Sequence, residues 1–161
     1  MPIRPFQPTD LARIQQITIE SFEGVSIDRN IETAFGVVAG RTWNERKSRN
    51  VTLDCEANPA GVFVATDGDD IIGYITTRVD RFSSIGQIPN LAVTEQGRGK
   101  GIGTSLIEHA LAWFREQGLA MAKIETLEQN ERGQHLYPRF GFTEVARQIH
   151  YVMPLKPTAA I

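Results

Sequence analysis

A run of alternating glycines is the most restrictive feature of this chain. Residues 96–103 read Gln-Gly-Arg-Gly-Lys-Gly-Ile-Gly. Glycine offers no side chain for packing and loses much backbone entropy on folding, so such a run indicates that something approaches the main chain very closely. An apolar stretch, residues 88–93, precedes the run, and an amphipathic stretch, residues 104–117, follows it. The arrangement predicts a strand, a glycine turn and a helix in direct succession.

A strand that passes through a glycine turn into a helix is typical of an anion site. Unpaired N–H groups and the positive end of the helix dipole meet there, and both favour a phosphate or pyrophosphate. Arg98 and Lys100 lie within the turn and can hold further anionic oxygens. An ordinary glycine-rich loop is the alternative that the pattern leaves open.

The spacing excludes the two best-known phosphate fingerprints. The dinucleotide pattern needs a third glycine at the position of Ile102 or Thr104. The phosphate loop of nucleoside triphosphatases needs Ser or Thr directly after its Gly-Lys pair, where this chain has Gly101. The pattern that fits is Gln-x-x-Gly-x-Gly, formed by Gln96, Gly99 and Gly101.

Composition and charge are those of an ordinary soluble domain. The 161 residues suit one domain, and the net charge of −2 gives no broad basic field for nucleic acid or an anionic membrane. The single cysteine, Cys55, cannot form a disulfide within the chain, which favours a reducing compartment. The sequence has no run near the ~20 apolar residues of a membrane span and no signal-type N-terminus. We expect a cytoplasmic protein with neither nucleic acid nor membrane as a partner.

Hydrophobic periodicity and turn residues predict the order β-α-α-β-β-β-α-β-α-β-β, a mixed sheet covered by helices. A hairpin is expected around Asp67-Gly68-Asp69-Asp70, and Pro89 indicates a bulge or splayed edge in the strand before the glycine turn. A second helical stretch is expected over about residues 28–49. A closing hairpin is expected at residues 143–146 and 149–155.

Two motifs in the expected order give the chain a resemblance to a known family. The glycine run follows Asn90-Leu91-Ala92-Val93 and matches the signature (Gln/Arg)-x-x-Gly-x-(Gly/Ala). A second segment matches the pattern Asn…Leu-Tyr…Gly-Phe at Asn130, Leu136-Tyr137 and Gly141-Phe142. Ile3-Arg4-Pro5 is also a common opening of this family. Over nearly its whole length the chain resembles the GCN5-related N-acetyltransferase (GNAT) superfamily, with some likeness to the ribosomal-protein alanine acetyltransferase branch.

The resemblance implies the α/β GNAT fold. This is a mostly antiparallel mixed sheet of about six to seven strands, splayed at the acetyl-CoA site and flanked by four helices. A single N-acetyltransferase domain is expected over residues 1–155, with a frayed tail at residues 156–161. The implied activity is that of an acyltransferase that moves an acetyl group directly from acetyl-CoA to an amine, without a metal. The three histidines, His109, His135 and His150, likewise have no metal-ligand spacing.

The resemblance also assigns the contacts to acetyl-CoA. Backbone amides of the glycine turn would cradle the pyrophosphate, and main-chain groups of Leu91 and Val93 would bind the thioester carbonyl and the pantetheine arm. Asn130 would contact the pantetheine from the other side of the cleft, and it can also cap the helix that follows it. The complete expected set is Leu91, Ala92, Val93, Gln96, Gly97, Arg98, Gly99, Lys100, Gly101, Ile102, Gly103, Thr104, Asn130 and Tyr137.

Acetyl transfer needs a neutral amine, a hydrogen-bond donor for the developing oxyanion and a proton for the departing thiolate. Tyr137 matches the family tyrosine that stands near the sulfur as general acid, with core packing as its alternative role. For the base, Glu125 stands where the ribosomal-protein alanine acetyltransferase branch has a glutamate, although a solvated sheet face suits it equally. The rival carboxylates are Glu23, Asp54, Glu56 and Asp80, and a water chain is a further alternative.

The acceptor is the least constrained part of the reaction. The connection at residues 146–151 leaves little room for the longer, tyrosine-bearing loop with which N-terminal acetyltransferases hold a peptide. We therefore expect a primary amine of a small molecule, with a protein N-terminus or lysine as the alternative acceptor. A non-catalytic acyl-CoA-binding regulatory module is the alternative from another functional class. Because members of the family often dimerise, a homodimer is a further expected partner state.

Overall fold

The computed structural model describes residues 1–156, and residues 157–161, which hold all but the first residue of the expected frayed tail, lie outside the described part. Five strands lie within it: β1 (Ile3–Pro5), β2 (Phe63–Asp67), β3 (Asp70–Asp80), β4 (Ile85–Val93) and β5 (Met121–Ile124). Five α-helices accompany them: α1 (Leu11–Phe22), α2 (Ile27–Phe35), α3 (Trp43–Ala57), α4 (Ile102–Glu116) and α5 (Glu131–Leu136).

One five-stranded sheet carries the fold, in the order β1-β2-β3-β4-β5. Neighbouring strands are antiparallel except β4 and β5, which run parallel because α4 returns the chain across one face of the sheet. The predicted hairpin around Asp67 and Gly68 forms between β2 and β3. β1 and β5 are therefore the two edges of the sheet.

Each face of the sheet has its own hydrophobic core. On the α4 face, the helix α4 covers a core of Phe63, Ala65, Ile72, Ile75, Ile88, Ile102, Leu106, Ile107, Ala110 and Phe114. On the α1/α3 face, these two helices cover a core of Ile14, Ile17, Val51, Cys55, Val62, Val64, Ile71, Tyr74 and Ala92. Within residues 1–156, no helix has both the length and the apolar character needed to cross a membrane.

A bulge interrupts β4 shortly before the glycine turn. Thr76 of β3 faces Asn90, whereas Arg78 faces Gln87, so the register slips by one residue between these two pairs. Pro89 lies in the slipped stretch, where its missing N–H removes a ladder bond. The predicted irregularity at this proline is therefore confirmed.

The second helical stretch, predicted as one helix over about residues 28–49, is two helices in the structure. α2 ends at Gly36, which adopts φ +81°, and the chain turns again at Gly40 with φ +74°. Glycine enters this backbone region without steric cost, so the two glycines break the helix instead of only weakening it. Thr42 and Glu45 then form a capping box that starts α3. Five helices therefore accompany the sheet instead of four.

The predicted closing hairpin at residues 143–146 and 149–155 does not form. Residues 142–156 contain no strand, and none of their backbone groups bonds another backbone group in the described chain. The sheet therefore has five strands instead of the six to seven expected, although its mixed α/β class is as predicted. A two-stranded hairpin is stable only when it packs against a further strand or a helix. In the described chain, no strand pairs with residues 143–155.

Gly86 on β4 should not tolerate a side chain. A Cβ atom at this buried position would lie 2.5 Å from two ring carbons of Phe114, a buried residue of the α4 core. We expect Gly86→Ala to lower the free energy of unfolding by about 2 kcal/mol, because the added methyl must displace the ring or the strand. Urea denaturation followed by circular dichroism measures the change.

Gly24→Ala is the matched control for this substitution. A Cβ atom at Gly24 meets no other atom within 4 Å, and its backbone does not need a positive φ. Its effect should therefore stay within about 0.5 kcal/mol. Equal losses of stability in the two variants would contradict the packing argument.

Candidate active site

A gap opens in the sheet where β5 ends. β4 and β5 pair only as far as Ile88 and Ile124, and β4 then continues to Val93 without that neighbour. β5 ends at Ile124, so Glu125 lies just beyond it. The two strands are therefore splayed, with an open edge on β4, at the position where the resemblance places acetyl-CoA.

The open edge of β4 presents backbone groups to the gap. The N–H of Thr94 donates to the carbonyl of Ile72 on β3 at 2.9 Å. Because backbone groups alternate in direction along a strand, those of Leu91 and Val93 point the opposite way, into the gap. The hydroxyl of Ser21 on α1 donates to the carbonyl of Val93 at 3.5 Å, where a neighbouring strand would otherwise donate. Leu91 and Val93 can therefore bond an extended ligand as another strand would.

The glycine turn lies directly against the end of this open strand. The hydroxyl of Thr94 accepts the N–H of Gly97 at 3.2 Å, which closes a tight 3₁₀ turn. Gly97 is buried, and a Cβ atom there would lie 2.8 Å from the side chain of Val93. Gly99 and Gly101 adopt φ values of +75° and +76°, which side-chain-bearing residues rarely reach. Three of the four glycines are thus required by the conformation of the turn or by its close packing.

α4 begins immediately after the turn. Its N-cap, Gly101, has no side chain to bond the first helical N–H groups, so these amides remain available at the positive end of the helix dipole. Arg98 and Lys100 are exposed beside them. The Cβ position of Gly103 lies 3.8 Å from Val93 and 3.9 Å from Leu136, so the start of α4 borders the open strand. These residues fit a pyrophosphate that continues into an extended chain along β4.

Asn130 is the N-cap of α5. Its side-chain oxygen accepts the N–H of Gly133 at 3.2 Å, and its amide donates to the hydroxyl of Thr126 at 2.7 Å. Both polar ends of the side chain are thus engaged within the protein. The capping role is present in the structure, and the expected contact with pantetheine stays a prediction.

Tyr137 directly follows α5 and combines packing with an available hydroxyl. Its ring packs against the α4 core and stands edge-on to Phe142, with 6.4 Å between the ring centroids. Burial raises the pKa of Tyr137, so the hydroxyl keeps its proton at neutral pH. Within the described residues, no protein group forms a hydrogen bond with this hydroxyl. It can therefore donate its proton to a ligand.

Glu125 points towards the other face of the sheet. Ile124 packs against the α4 core, and side chains alternate along a strand, so the next residue turns away from that core. The carboxylate accepts the amide of Gln87 at 2.6 Å and lies 4.0 Å from the ammonium of Lys123. The side chain is 59% exposed, so it can reach an incoming polar ligand without a desolvation cost.

A cavity of about 350 Å³ lies beside the gap on the α1/α3 face. The residues that line it are Ile27, Lys47, Asn50, Leu53, Asp54, Arg78, Pro89, Asn90 and Glu125. Glu125 and one of its rivals, Asp54, therefore border the same space. The other rivals, Glu23, Glu56 and Asp80, are exposed and do not line it.

Four side chains of this cavity form a hydrogen-bonded chain, and three of them were missed by sequence reasoning. Lys47 donates to the side-chain oxygen of Asn90 at 2.9 Å, and Asn90 donates to Asp54 at 2.8 Å. Arg78 donates to the other oxygen of Asp54 at 2.8 Å. Burial lowers the pKa of Lys47, while nearby carboxylates oppose the shift. The four residues come from α3, β3 and β4, so no local spacing signals them.

The gap joins the two faces of the sheet. Leu91 and Tyr137 pack on the α4 face, whereas Asn90 and Glu125 border the cavity on the α1/α3 face. A donor that lies along β4 and an acceptor that enters the cavity would therefore meet at the gap. Among residues 1–156, no group of three or more His, Cys, Asp or Glu side chains is placed to hold a metal ion.

Residues 15–142 match the sequence model of a protein family that is described as "Acetyltransferase (GNAT) family". The chain belongs to the acetyltransferase (GNAT) family. The predicted family and the mixed α/β GNAT fold are thereby confirmed.

Relatives of this GNAT domain carry two kinds of name. A mycothiol acetyltransferase from Segniliparus rotundus is 32% identical over 115 residues, which cover 68% of this chain and 43% of the relative. N-alpha-acetyltransferase 30 from Schizosaccharomyces pombe is 33% identical over 98 residues, which cover 59% of this chain and 65% of the relative. The chain thus matches less than two thirds of either relative's length.

A solved GNAT structure has the same architecture. The PaiA N-acetyltransferase from Thermoplasma acidophilum, in complex with coenzyme A, has a TM-score of 0.71 and 18% identity, covering 88% of this chain and 89% of that one. At this identity the likeness shows the shared fold.

The capping role of Asn130 can be separated from a ligand contact. We expect Asn130→Ala to lower the free energy of unfolding by about 1 kcal/mol, because the start of α5 loses its cap. Asn130→Asp keeps an oxygen for the N–H of Gly133 and should recover most of that loss. Urea denaturation in the absence of ligand gives both values. Unchanged stability in the alanine variant, together with weaker acetyl-CoA binding, would instead assign Asn130 to the ligand alone.

Proposed function

We propose that this protein is an acetyl-CoA-dependent N-acetyltransferase that transfers an acetyl group directly to a primary amine of a small molecule. The observation that carries the proposal is the gap between β4 and β5. It has a glycine-lined anion cradle at one end and opens into a polar cavity on the opposite face of the sheet. A two-substrate reaction needs such a meeting point, because the donor and the acceptor must approach from different sides.

The donor side is built mainly from backbone. The glycine turn and the free amides at the start of α4 suit the pyrophosphate of coenzyme A. The outward backbone groups of Leu91 and Val93 suit the amide-rich pantetheine arm and would carry the thioester to the gap. Arg98 and Lys100 are exposed beside the turn and add positive charge for the phosphate oxygens.

Tyr137 is the proposed general acid. Its hydroxyl stays protonated at neutral pH because burial raises its pKa, and no protein partner in the described chain competes for the proton. As the nitrogen–carbon bond forms and the carbon–sulfur bond breaks, the hydroxyl would give its proton to the departing thiolate. The packed ring fixes the point from which that proton is given.

Glu125 is the proposed base. Its carboxylate borders the cavity and the end of β5, and the amide of Gln87 holds it at 2.6 Å. From there it can accept a proton from an ammonium group that enters the cavity, which leaves the neutral amine that attack requires. Asp54 is less suited, because Arg78 and Asn90 already occupy both of its oxygens.

The cavity favours a small acceptor. Its volume of about 350 Å³ is at the lower end of ordinary ligand pockets, and its lining carries both signs of charge. One relative is named mycothiol acetyltransferase and the other N-alpha-acetyltransferase 30, so the names support acetyl transfer without choosing between the acceptor classes. A protein N-terminus or lysine is therefore the second candidate.

A thiol-release assay tests the proposed function. The protein is incubated with acetyl-CoA and a panel of small amines, polyamines, amino acids and short peptides, and free coenzyme A is measured. Release with small amines and not with peptides is expected. Release with peptides alone would move the acceptor to proteins. Thermal stabilisation by acetyl-CoA without release with any amine would favour a regulatory acyl-CoA-binding module.

Tyr137→Phe should impair turnover without impairing binding. The variant keeps the packed ring and loses the proton, so we expect kcat to fall by about a hundredfold, while the Kd for acetyl-CoA changes less than about threefold. Tyr151→Phe, at an exposed tyrosine, is the matched control and should keep full turnover. Full turnover in Tyr137→Phe would remove this residue as the acid.

Glu125→Gln should change the pH dependence of the rate. We expect kcat/KM to fall by about tenfold to a hundredfold at pH 7 and to recover partly at high pH, where the amine acceptor is already neutral. Glu116→Gln, at an exposed position at the end of α4, is the control for loss of one negative charge. A pH–rate profile identical to that of the unsubstituted enzyme would exclude Glu125 as the base.

A further inference from the structure

The cavity on the α1/α3 face holds a lysine without a carboxylate partner. Lys47 lies on α3, is partly buried and lines the cavity. Its nitrogen donates to the side-chain oxygen of Asn90 at 2.9 Å and lies 4.3 Å from the centre of the Phe22 ring. Both neighbours are uncharged, and within residues 1–156 no carboxylate forms an ion pair with this ammonium. Because removing a cation from water is costly unless an anion compensates it, the position suits a negatively charged ligand.

Two carboxylates act on Lys47 from a distance, and each is already paired with an arginine. Asp54 accepts from Arg78 at 2.8 Å, and Asp28 accepts from Arg46 at 3.3 Å. Burial lowers the pKa of Lys47 in spite of both carboxylates. Their compensation of the ammonium is therefore incomplete, and an anion bound beside it would favour the charged form of the lysine.

Asn90 holds this ammonium at a fixed point. Its side-chain amide donates one N–H to Asp54 and one to Thr76, both at 2.8 Å, so its oxygen must face Lys47. Beside it, Arg78 bonds Asp54 through Nε and Nη2, and its Nη1 has no hydrogen-bond partner in the described chain. Asn90 and Asp54 are only 3% and 6% exposed. Two cationic donors that border the cavity are thus anchored to one buried pair of side chains.

The charges around the cavity divide into two parts. Lys47 and Arg78 contribute two positive charges and Asp54 contributes one negative charge, which leaves one net positive charge at the hydrogen-bonded chain. Glu125 supplies a negative charge beside the gap. A molecule with one carboxylate and one ammonium complements both parts, whereas a dianionic phosphate would exceed the single net positive charge.

We propose that the acceptor is a free amino acid, whose carboxylate binds Lys47 with help from Arg78 while its amine faces Glu125 at the gap. This inference rests on the proposed acetyl transfer. The nitrogen–carbon bond would form as the carbon–sulfur bond breaks. The ammonium and acetyl-CoA would then become the N-acetyl amino acid, the free thiol of coenzyme A and one proton, which Glu125 receives. Lys47 would select and orient the acceptor without taking part in the proton transfer.

Matched pairs of substrates test the anchor. The common amino acids, β-alanine and γ-aminobutyrate are each compared with their carboxamide, which keeps the amine and the size but loses the negative charge. We expect kcat/KM for release of coenzyme A to be more than about tenfold higher with the acids. A carboxylate raises the pKa of a nearby ammonium, so the carboxamide has the more readily neutral amine, and basicity cannot explain a preference for the acid. Equal or faster turnover of the carboxamides would overturn the proposal, as would release with phosphoethanolamine alone.

Lys47→Met keeps a long apolar side chain and removes the charge. We expect KM for the best amino acid to rise by more than about tenfold, while kcat and the kcat/KM of its carboxamide stay within about threefold. Arg49→Met removes one positive charge from an exposed position of the same helix and should change neither substrate's kinetics. Both substrates meet the same folded enzyme, so equal losses with acid and carboxamide in Lys47→Met would assign the lysine to structure or proton transfer and would overturn the anchor.

A binding measurement separates this inference from the proposed transfer. Calorimetric titration of each amino acid in the presence of coenzyme A, which carries no acetyl group, measures acceptor binding without turnover. If no amine releases coenzyme A from acetyl-CoA, the proposed transfer fails, and binding of an amino acid that is lost in Lys47→Met would still support the anchor. Amino acids that do not bind, or that bind Lys47→Met equally well, would overturn the anchor even where other amines are acetylated.

Discussion

The separation of β4 from β5 is the constraint on which the rest of the site depends. Pro89 has no N–H to donate to a neighbouring strand, and it lies in the bulge of β4. β5 ends at Ile124, which pairs with Ile88 directly before Pro89. From this point β4 keeps β3 as its one neighbour. Its outward N–H and carbonyl groups are therefore left for a ligand, and an opening appears between the two faces of the sheet.

The bulge also decides which side chains meet on each face. Ile88 belongs to the α4 core, and strict alternation would place Asn90 on that face as well. The extra residue reverses the alternation, so Asn90 instead turns to the cavity and Leu91 returns to the α4 side. One inserted residue thus separates the open backbone edge of β4 from a cavity that is lined mostly by polar side chains.

The glycine turn and the helix after it could be predicted from the sequence because their determinants are local. The glycines of the turn adopt positive φ or pack tightly where they stand, and the helix begins within the same dozen residues. The break between α2 and α3 is equally local, because it lies at Gly36 and Gly40, two glycines with positive φ inside the predicted helical stretch. The chain from Lys47 through Asn90 and Asp54 to Arg78 is different, because tertiary packing brings its members together from distant parts of the sequence. Local spacing contains no information about such a cluster.

Residues 143–155 show a third kind of limit on sequence reasoning. Large apolar residues occupy alternate positions from Ile149 to Leu155, a pattern typical of a strand, yet these residues form no strand in the structure. A strand also needs a neighbouring strand that bonds its backbone groups, and a local sequence pattern does not show whether the tertiary structure supplies one.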